Sequence, residues 1–317
     1  MRRRDVTLSE EQEEQDEQRK RGERKTTIIS GRISGDTKNG FGKYRWASGN
    51  EYEGQSKGGK RHGRGVFTWA NGDTYGGGWE DGDKQGLGVF TWASGSTYDG
   101  DWEADKMHGH GVFTWASGNK FEGSYVDGKK HGRGVKTFAD GRTYDGDWDA
   151  DEMHGRGIYT WASGSTYEGS YVDGKEHGHG VYTWASGNKF EGSYVDGKKH
   201  GRGIKTYAED GITYDGEWEA DKRHGRGVFT FSADGASWEG PWRASEPSGE
   251  GVWRFPGGLR VDGAGPTLAE RGGQTTAPAK WRAAAEAAAQ GAAAAADPSI
   301  FNAAMGAMAT PSSCDES

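Results

Sequence analysis

The chain has 317 residues, of which 57 are glycine and only 32% are hydrophobic, although aromatic residues alone make up 12%. A compact core of this length normally draws on leucine, isoleucine and valine, so the composition excludes a conventional pair of globular domains and indicates a repeat architecture. The formal net charge of -8 argues against a general nucleic-acid binder. The single cysteine, Cys314, allows no intramolecular disulfide and predicts a reducing, intracellular setting.

Residues 1–28 form a charged leader. Between Arg2 and Lys25 the sequence carries eight basic and eight acidic side chains. The stretch Ser9–Arg21 has the composition of a solvated helix but lacks an apolar stripe that would bury one of its faces. We therefore expect the leader to be disordered or helical.

From Ile29 to Val261 the sequence repeats itself ten times. Seven repeats have 23 residues and three have 24. A fixed period of this length is typical of solenoids, propellers and linear arrays, in which each repeat packs only against its neighbours. The repeats begin at Ile29, Tyr52, Tyr75, Tyr98, Phe121, Tyr144, Tyr167, Phe190, Tyr214 and Trp238.

Glycine and aromatic residues occupy fixed positions of every repeat. The third, twelfth and fourteenth positions are always glycine, and the eighteenth is always aromatic. Two segments of each repeat, such as Tyr98–Trp102 and Gly109–Trp115, alternate with period two, and turn-forming residues follow both. Each repeat is therefore predicted to be a β-hairpin with its rings on one face. Glycine within these strands would let the rings lie flat across neighbouring backbone.

These features predict an all-β fold for residues 29–261, an elongated and twisted single-layer antiparallel array of about ten β-hairpin repeats. An open sheet with so many strands must twist or coil. Residues 262–317 are rich in alanine, glycine and proline. We expect this tail to be largely disordered, with a short helix as the alternative, in which Phe301, Met305 and Met308 would share one face.

The intact unit is seen at Tyr98–Trp102 and His108–Gly111, as tyrosine-x-glycine-x-tryptophan followed by histidine-glycine-x-glycine. It resembles the MORN (membrane occupation and recognition nexus) repeat, and the resemblance covers Ile29 to Val261. The family implies an elongated antiparallel β array. Similar repeats occur in junctophilins at membrane junctions, in radial spoke head proteins of cilia and in protist cytoskeletal scaffolds.

Other similar repeats precede the kinase domain of plant phosphatidylinositol-phosphate kinases or accompany a SET methyltransferase domain. The 56 residues that follow Val261 are too few for either domain. The resemblance therefore implies no kinase or methyltransferase activity here, and we expect that the chain is not an enzyme.

No metal, cofactor or lipid-anchor site is predicted. Seven of the nine histidines occupy the eleventh position. Successive repeats would hold these about 9–10 Å apart, whereas zinc needs ligand nitrogens at about 2.0–2.1 Å. Glycine runs such as Gly76–Gly78 lack the ending of a phosphate-binding loop. The C-terminal Cys314–Ser317 has acidic residues where a prenylation signal is aliphatic.

Three basic turns, spaced three repeats apart, are the best local candidates for a binding site. Anionic lipid head groups or acidic segments of a partner protein would be attracted there. The array as a whole carries 29 basic and 34 acidic residues, so the attraction would be local and salt-sensitive. The alternative is that these are solvated turn charges. The candidate residues are Lys60, Arg61, Arg64, Lys129, Lys130, Arg133, Lys198, Lys199 and Arg202.

The leading functional hypothesis is a non-catalytic protein-interaction scaffold of a cytoskeletal or ciliary assembly, with homo-oligomer formation left open. The alternative is a peripheral membrane-recruitment module that binds anionic phospholipids through the basic hairpin turns. Both hypotheses place the chain in the cytoplasm, associated with the cytoskeleton, a cilium or a membrane surface. Protein partners are expected and nucleic acid is not.

Overall fold

The computed structural model describes residues 26–32, 38–231, 235–256, 258 and 260–266. Every regular element in these ranges is a β-strand. None of the described residues belongs to a helix long and apolar enough to cross a bilayer. The prediction of an all-β array of antiparallel hairpins is confirmed. The charged leader up to residue 25, and the tail from residue 267 with the alternative of a short helix near Phe301, lie outside the described residues.

The chain divides into two compact units. The first comprises the residues up to Ala162 together with Ser170–Lys175, and the second comprises Ser163–Gly169 together with the residues from Glu176 onward. Strand β13 (Thr166–Val172) contributes residues to both. The strands of the first unit are β1 (Thr26–Arg32), β2 (Gly40–Trp46), β3 (Glu51–Lys57), β4 (Lys60–Thr68), β5 (Thr74–Glu80), β6 (Asp83–Thr91), β7 (Thr97–Glu103), β8 (Lys106–Thr114), β9 (Lys120–Val126), β10 (Lys129–Thr137), β11 (Thr143–Asp149) and β12 (Glu152–Thr160).

The second unit continues the same pattern of hairpins. Its strands pair antiparallel with their neighbours in the chain, and its last hairpin is interrupted between two short strands. The strands of the second unit are β14 (Lys175–Thr183), β15 (Lys189–Val195), β16 (Lys198–Tyr207), β17 (Ile212–Glu219), β18 (Lys222–Thr230), β19 (Ser237–Arg243), β20 (Glu246–Pro247), β21 (Glu250–Arg254) and β22 (Arg260–Ala264).

Strand pairing extends slightly beyond the predicted span 29–261 at both ends. Strand β1 begins at Thr26 and pairs with β2 along its whole length. Strand β22 ends at Ala264 and pairs with β21. A strand edge offers unpaired backbone groups to any neighbouring segment. The repeat period does not predict these additions, because they lie outside the repeated residues.

The hairpin of β7 and β8 shows how each repeat turns. Ala104 and Asp105 have φ values of 47° and 71°, as a two-residue type I′ turn requires. Gly109, at the twelfth position, has a φ of 55° and lies at a β-bulge, an irregular conformation that glycine adopts at little cost. Beyond the bulge, Gly100 lies directly opposite Gly111. The third and fourteenth positions of the repeat are therefore paired across the hairpin.

These paired glycines make room for a ring. A Cβ atom at Gly111 would stand 2.5 Å from Cε2 and Cζ of Tyr98, and one at Gly100 would stand 2.5 Å from Cα of Gly111. Both distances are far inside van der Waals contact, so the ring lies across the two strands only because both residues are glycine. The Tyr98 hydroxyl reaches past them and donates to the carbonyl oxygen of Asp101 at 3.0 Å.

Edge-to-face contacts connect the rings of successive repeats within each unit. Tyr98 meets Trp102 of its own repeat at 5.2 Å and Tyr125 of the next repeat at 5.2 Å, with interplanar angles of 88° and 85°. In the second unit, Tyr214 meets Trp242 at 5.0 Å and 80°. Each such pair contributes about 0.5–1.5 kcal/mol beyond the burial of its area. Tyr98 and Tyr214 are thereby fully buried, although no second layer of described residues packs on them.

Polar side chains in the turns also connect neighbouring repeats. The Ser96 hydroxyl accepts a hydrogen bond from the backbone nitrogen of Ala116 at 3.1 Å. A carboxylate oxygen of Asp105 accepts one from the backbone nitrogen of Lys84 at 2.9 Å. These bonds satisfy backbone donors near the strand ends, where the ladder between strands no longer supplies a partner.

An alanine substitution at Gly88 tests the ring–glycine packing, and Gly76 of the same repeat is a matched control. A methyl group at Gly88 would stand 2.5 Å from Cε2 and Cζ of Tyr75, whereas one at Gly76 would meet only Val66 Cγ2, at 3.7 Å. We expect Gly88→Ala to lower the free energy of unfolding by about 1–3 kcal/mol. We expect Gly76→Ala to leave it unchanged or raise it by about 0.4–1 kcal/mol. Urea denaturation followed by tryptophan fluorescence measures both, and equal midpoints for the two variants would contradict the packing described.

Candidate functional site

The two faces of each hairpin carry different side chains. The aromatic face carries the rings of the first, sixteenth and eighteenth positions and, in most repeats, of the fifth. The opposite face, called the aliphatic face below, carries the fifteenth position, which is a branched aliphatic residue in most repeats. Phe90 of the aromatic face is 1% exposed, whereas its neighbour Val89 on the aliphatic face is 41% exposed. Strand alternation produces this separation.

The three basic side chains of each predicted turn lie in different surroundings. Lys129 is exposed at the start of β10, Lys130 is buried on the aromatic face, and Arg133 is exposed on the aliphatic face. The Arg133 guanidinium lies 3.2 Å from Asp145 and 3.6 Å from Asp147. The three side chains of one turn therefore do not form a single cluster, and their anion-binding role stays a prediction. The corresponding residues of the other turns are Lys60, Arg61 and Arg64, and Lys198, Lys199 and Arg202.

A set of cations at the tenth position covers rings of the aromatic face. The Lys130 ammonium lies 5.3 Å from the ring centre of Trp148 and 2.6 Å from a carboxylate oxygen of Asp151. A cation over a ring contributes about 0.5–2 kcal/mol, depending on how far both groups are desolvated. These side chains therefore stabilise the fold as well as carrying charge. The cations at this position are Arg61, Lys84, Lys130, Lys199 and Arg223.

Sequence analysis named Arg61, Lys130 and Lys199 as basic-turn residues but missed that tenth-position cations cover rings, because the tenth position is not uniformly basic. Met107, Met153 and Glu176 occupy it in other repeats. The signal that would have revealed it is the spacing of 18 or 19 residues to the fifth-position tryptophan of the next repeat. Lys84 lies over Trp102, and Arg223 lies over Trp242, at this spacing.

Two lysines stand where most repeats have a ring. Lys136 and Lys205 occupy the sixteenth position. The Lys205 ammonium lies 2.9 Å from the ring centre of Trp184. Burial, with a further contribution from Lys199, lowers the pKa of Lys205 to about 7. Both lysines went unnoticed in the sequence because each is a single change in an otherwise regular column.

The aliphatic face combines exposed apolar side chains with paired charges. In the first unit, an open groove of about 760 Å³ is lined by Phe41, Val66, Leu87 and Val89. Arg64, one of the predicted basic-turn residues, also lines the groove, together with Glu53 and Asp99. The groove therefore combines apolar side chains with charges of both signs.

Three histidines of the eleventh position, His108, His131 and His224, lie beside carboxylates at the hairpin ends. His108 Nε2 lies 3.3 Å from Glu103, and His131 Nδ1 lies 3.1 Å from Asp149. Over the part of the chain that the structure describes, no three histidine, cysteine, aspartate or glutamate side chains gather in the arrangement of a metal site. These pairs belong to the turn regions of the fold.

Glu176 places a carboxyl group at the tenth position, where other repeats have cations. Burial raises its pKa above the ordinary value, and Asp221 raises it further, while Lys199 acts in the opposite direction. Because the folded-state pKa is raised, the stabilisation linked to this group is fully present below the unfolded pKa and is lost as pH rises through the folded pKa. The ionised carboxylate is therefore a destabilising group at neutral pH.

Replacement of Glu176 by glutamine tests this assignment. We expect Glu176→Gln to raise the Tm at pH 7 and to leave it nearly unchanged at pH 4, as measured by thermal unfolding at both pH values. Glu191 is the matched control, because a hydrogen bond from Lys189 lowers the pKa of its carboxyl group. Glu191→Gln should lower the Tm slightly at pH 7. The same shift for both variants at pH 7 would contradict the electrostatic description.

Solved structures with some likeness to the chain have low similarity. The TCP domain of SAS-4 (dCPAP) of Drosophila melanogaster, in complex with a proline-rich motif of Ana2 (dSTIL), has a TM-score of 0.33 and 13% identity, and the match covers 56% of this chain and 88% of that chain. The TCP10 domain of Danio rerio CPAP has a TM-score of 0.35 and 14% identity, with 69% and 97% covered. At TM-scores this low, neither likeness carries an argument. Among curated proteins, none matches the chain.

The family model of the MORN repeat, in contrast, matches the chain throughout the array. Its ten matches coincide with the ten hairpin repeats that begin with β1 and end with β21 and β22. They cover residues 30–51, 52–74, 75–97, 98–120, 121–141, 144–166, 167–189, 190–211, 214–235 and 238–260. The resemblance drawn from the repeat unit is thus confirmed, and the chain belongs to the MORN-repeat family, whose repeats are generally protein- or lipid-interaction modules.

Proposed function

We propose that the chain is a non-catalytic protein-interaction scaffold of a cytoskeletal or ciliary assembly. The observation that carries this proposal is a row of exposed aliphatic side chains on the aliphatic face of the first unit. Val66, Val89, Val135 and Ile158 occupy the same position of different repeats and are between 39% and 49% exposed. Exposed apolar side chains in a regular series, bordered by polar groups, are typical of protein-binding surfaces.

The side chains of the groove within this row favour a protein, and not a membrane, as its ligand. Phe41 and Leu87, which line it, are 54% and 70% exposed. Glu53 and Asp99 line it together with Arg64. These carboxylates would repel an anionic membrane surface, whereas a protein segment can present complementary charges of both signs.

The raised pKa values of buried tyrosines support a structural role for the aromatic face. Burial raises the pKa of Tyr52 to about 12, with Arg61 acting in the opposite direction. The Tyr52 hydroxyl donates to the carbonyl oxygen of Gln55 at 2.6 Å. A buried phenol that bonds to backbone within its own repeat holds the ring in place, and this favours a non-catalytic role.

Introducing charge into the aliphatic row tests the proposal in ciliated cells. The variant combines Val66→Glu with Val89→Glu, and the matched control combines Val126→Glu with Val172→Glu, which are similarly exposed, at 42% and 40%, but lie at hairpin ends. We expect proximity labelling by the tagged parent and by the control to mark the same cytoskeletal or ciliary proteins, and the row variant to lose them.

Comparable thermal unfolding of the three proteins shows that folding is not the cause of any difference. Diffuse labelling by the parent chain, or an unchanged set of labelled proteins for the row variant, would contradict the scaffold proposal.

Binding of anionic phospholipid is the second candidate function. Lys60, Lys129 and Lys198 are exposed at the starts of their strands, and this exposure is what favours it. The neighbouring Lys130 and Lys199 are instead held near rings and beside carboxylates. A membrane would therefore meet the exposed lysine of a turn and not the neighbouring lysine held near rings, and the binding would be weak and would decrease with salt.

Sedimentation with phosphatidylserine-containing liposomes tests this second candidate. Changing Lys60, Lys129 and Lys198 to glutamate should abolish the weak binding of the parent chain at low salt. The control changes Lys120 and Lys189 to glutamate. Each of these lysines is already paired with the glutamate two residues further along its strand. Equal sedimentation of the parent and the triple variant would exclude the exposed lysines as a lipid-binding surface.

A further inference from the structure

The third repeat lacks two charges that other repeats carry on the aliphatic face. The second position is acidic in every repeat from the second to the tenth except the third, which has Gly76. The thirteenth position is arginine or histidine in every repeat from the second to the ninth except the third, which has Leu87. One repeat has therefore lost both an acid and a base, and both changes fall in the groove that Val66 and Val89 also line.

In other repeats these two positions form ion pairs between neighbouring repeats. The Arg133 guanidinium lies 3.2 Å from Asp145, and the Arg226 guanidinium lies 3.7 Å from Glu239. Each pair joins the thirteenth position of one repeat to the second position of the next. A change at either position therefore removes the partner of a charge in the adjacent repeat.

Two charges of the groove consequently lack the partner that this pattern provides. The position that would pair with Arg64 is glycine, and the position that would pair with Asp99 is leucine. Among the described residues, neither the Arg64 guanidinium nor the Asp99 carboxylate takes part in an ion pair. Glu53, a further carboxylate of the groove, lies 3.6 Å from the Lys43 ammonium. The groove therefore offers a cation on β4 and a carboxylate on β7, both open to a ligand.

An apolar pit lies on the strands between these two charges. Gly76 on β5 lies directly opposite Val66 on β4 and Val89 on β6. A Cβ atom at Gly76 would meet only Val66 Cγ2, at 3.7 Å, so the space above the glycine is open. Val66, Val89 and Leu87 are 49%, 41% and 70% exposed. The groove, of about 760 Å³, therefore has room over Gly76 for a large apolar side chain of a ligand.

We propose that this groove binds an extended segment of a partner protein that carries an acidic, a large apolar and a basic side chain at every second residue. The acid pairs with Arg64, the apolar side chain enters the pit over Gly76, and the base pairs with Asp99. Opposite charges at the two ends of the segment complement those of the groove. The assignment rests on the proposed scaffold function and names the chemistry of the partner.

The strand spacing favours an extended segment. Arg64 on β4 and Asp99 on β7 are three strands apart, roughly 14 Å at about 4.7–4.9 Å per strand. Residues i and i+4 of an extended chain are about 13 Å apart, and residues i, i+2 and i+4 point to the same side. The middle side chain then falls between β5 and β6, where the pit lies. An α-helix, about 10–12 Å across, is wider than the roughly 9.5 Å between the two strands that wall the pit.

Three peptides of different charge and two charge-reversed variants test the assignment. Binding to the full-length chain at low salt is measured by fluorescence anisotropy. The mixed peptide is fluorescein-Gly-Glu-Ala-Phe-Ala-Arg-Gly-amide, and the acidic and basic peptides have glutamate or arginine at both charged positions. The variants are Arg64→Glu and Asp99→Lys. The matched control is Arg133→Glu, because Arg133 has the same position in its repeat but is already paired with Asp145.

The parent and Arg133→Glu should bind the mixed peptide about fivefold more tightly than either of the other peptides. Arg64→Glu should prefer the basic peptide and Asp99→Lys the acidic peptide, by similar factors. Because each reversed variant gains a ligand, loss of folding cannot produce this result. Alanine in place of the phenylalanine should weaken binding to every protein, since the pit is then left empty.

Undetectable binding of the mixed peptide, equal binding of the three peptides by the parent, or an unchanged preference in either reversed variant would each overturn the assignment. A changed preference in Arg133→Glu would overturn it as well, because the binding would then lie elsewhere on the aliphatic face. Failure here is distinguishable from failure of the scaffold proposal. The latter depends on whether the combined Val66→Glu and Val89→Glu variant loses its cellular labelling, whatever the charges of the partner.

Discussion

The structure depends on aromatic rings that lie across paired glycines. The Tyr98 ring rests on Gly100 and Gly111, and rings of its own and the next repeat stand edge-on beside it. Backbone below and rings at the sides together remove Tyr98 from solvent. Buried apolar area contributes about 25 cal/mol per Å², so a few large rings supply hydrophobic stabilisation that a layered protein obtains from many aliphatic residues. This contact accounts for the glycines of the third and fourteenth positions, whereas a glycine of the twelfth position, such as Gly109, serves the bulge.

The same constraint leaves other positions free to vary, and these are where binding properties can differ between repeats. The tenth position packs against the rings, and both Arg61 and Met107 fit there without changing the register of the hairpin. The exposed row of the aliphatic face can vary to suit a partner. Function and folding are therefore carried by different positions of one repeat, except where a lysine such as Lys205 enters the ring column.

The periodic part of the fold was predictable because the glycines and rings that make the close contact recur at the same positions of every repeat. The environment of individual charges was not. Lys129 and Lys130 are adjacent in sequence, but strand alternation exposes one and buries the other. Lys130 is paired with Asp151 of the next repeat, a relation that no local pattern reveals. The Lys205 ammonium likewise lies over the ring of Trp184 of the preceding repeat.

A double-mutant cycle between Tyr98 and Gly111 measures the central contact most directly. In the parent chain, Gly111→Ala places a methyl group against the Tyr98 ring and should destabilise the fold. In the Tyr98→Ala background that space is empty, and the same substitution should have little effect. The account predicts a coupling free energy of about 1–3 kcal/mol between the two sites. Additive effects, with a coupling smaller than about 0.5 kcal/mol, would contradict it.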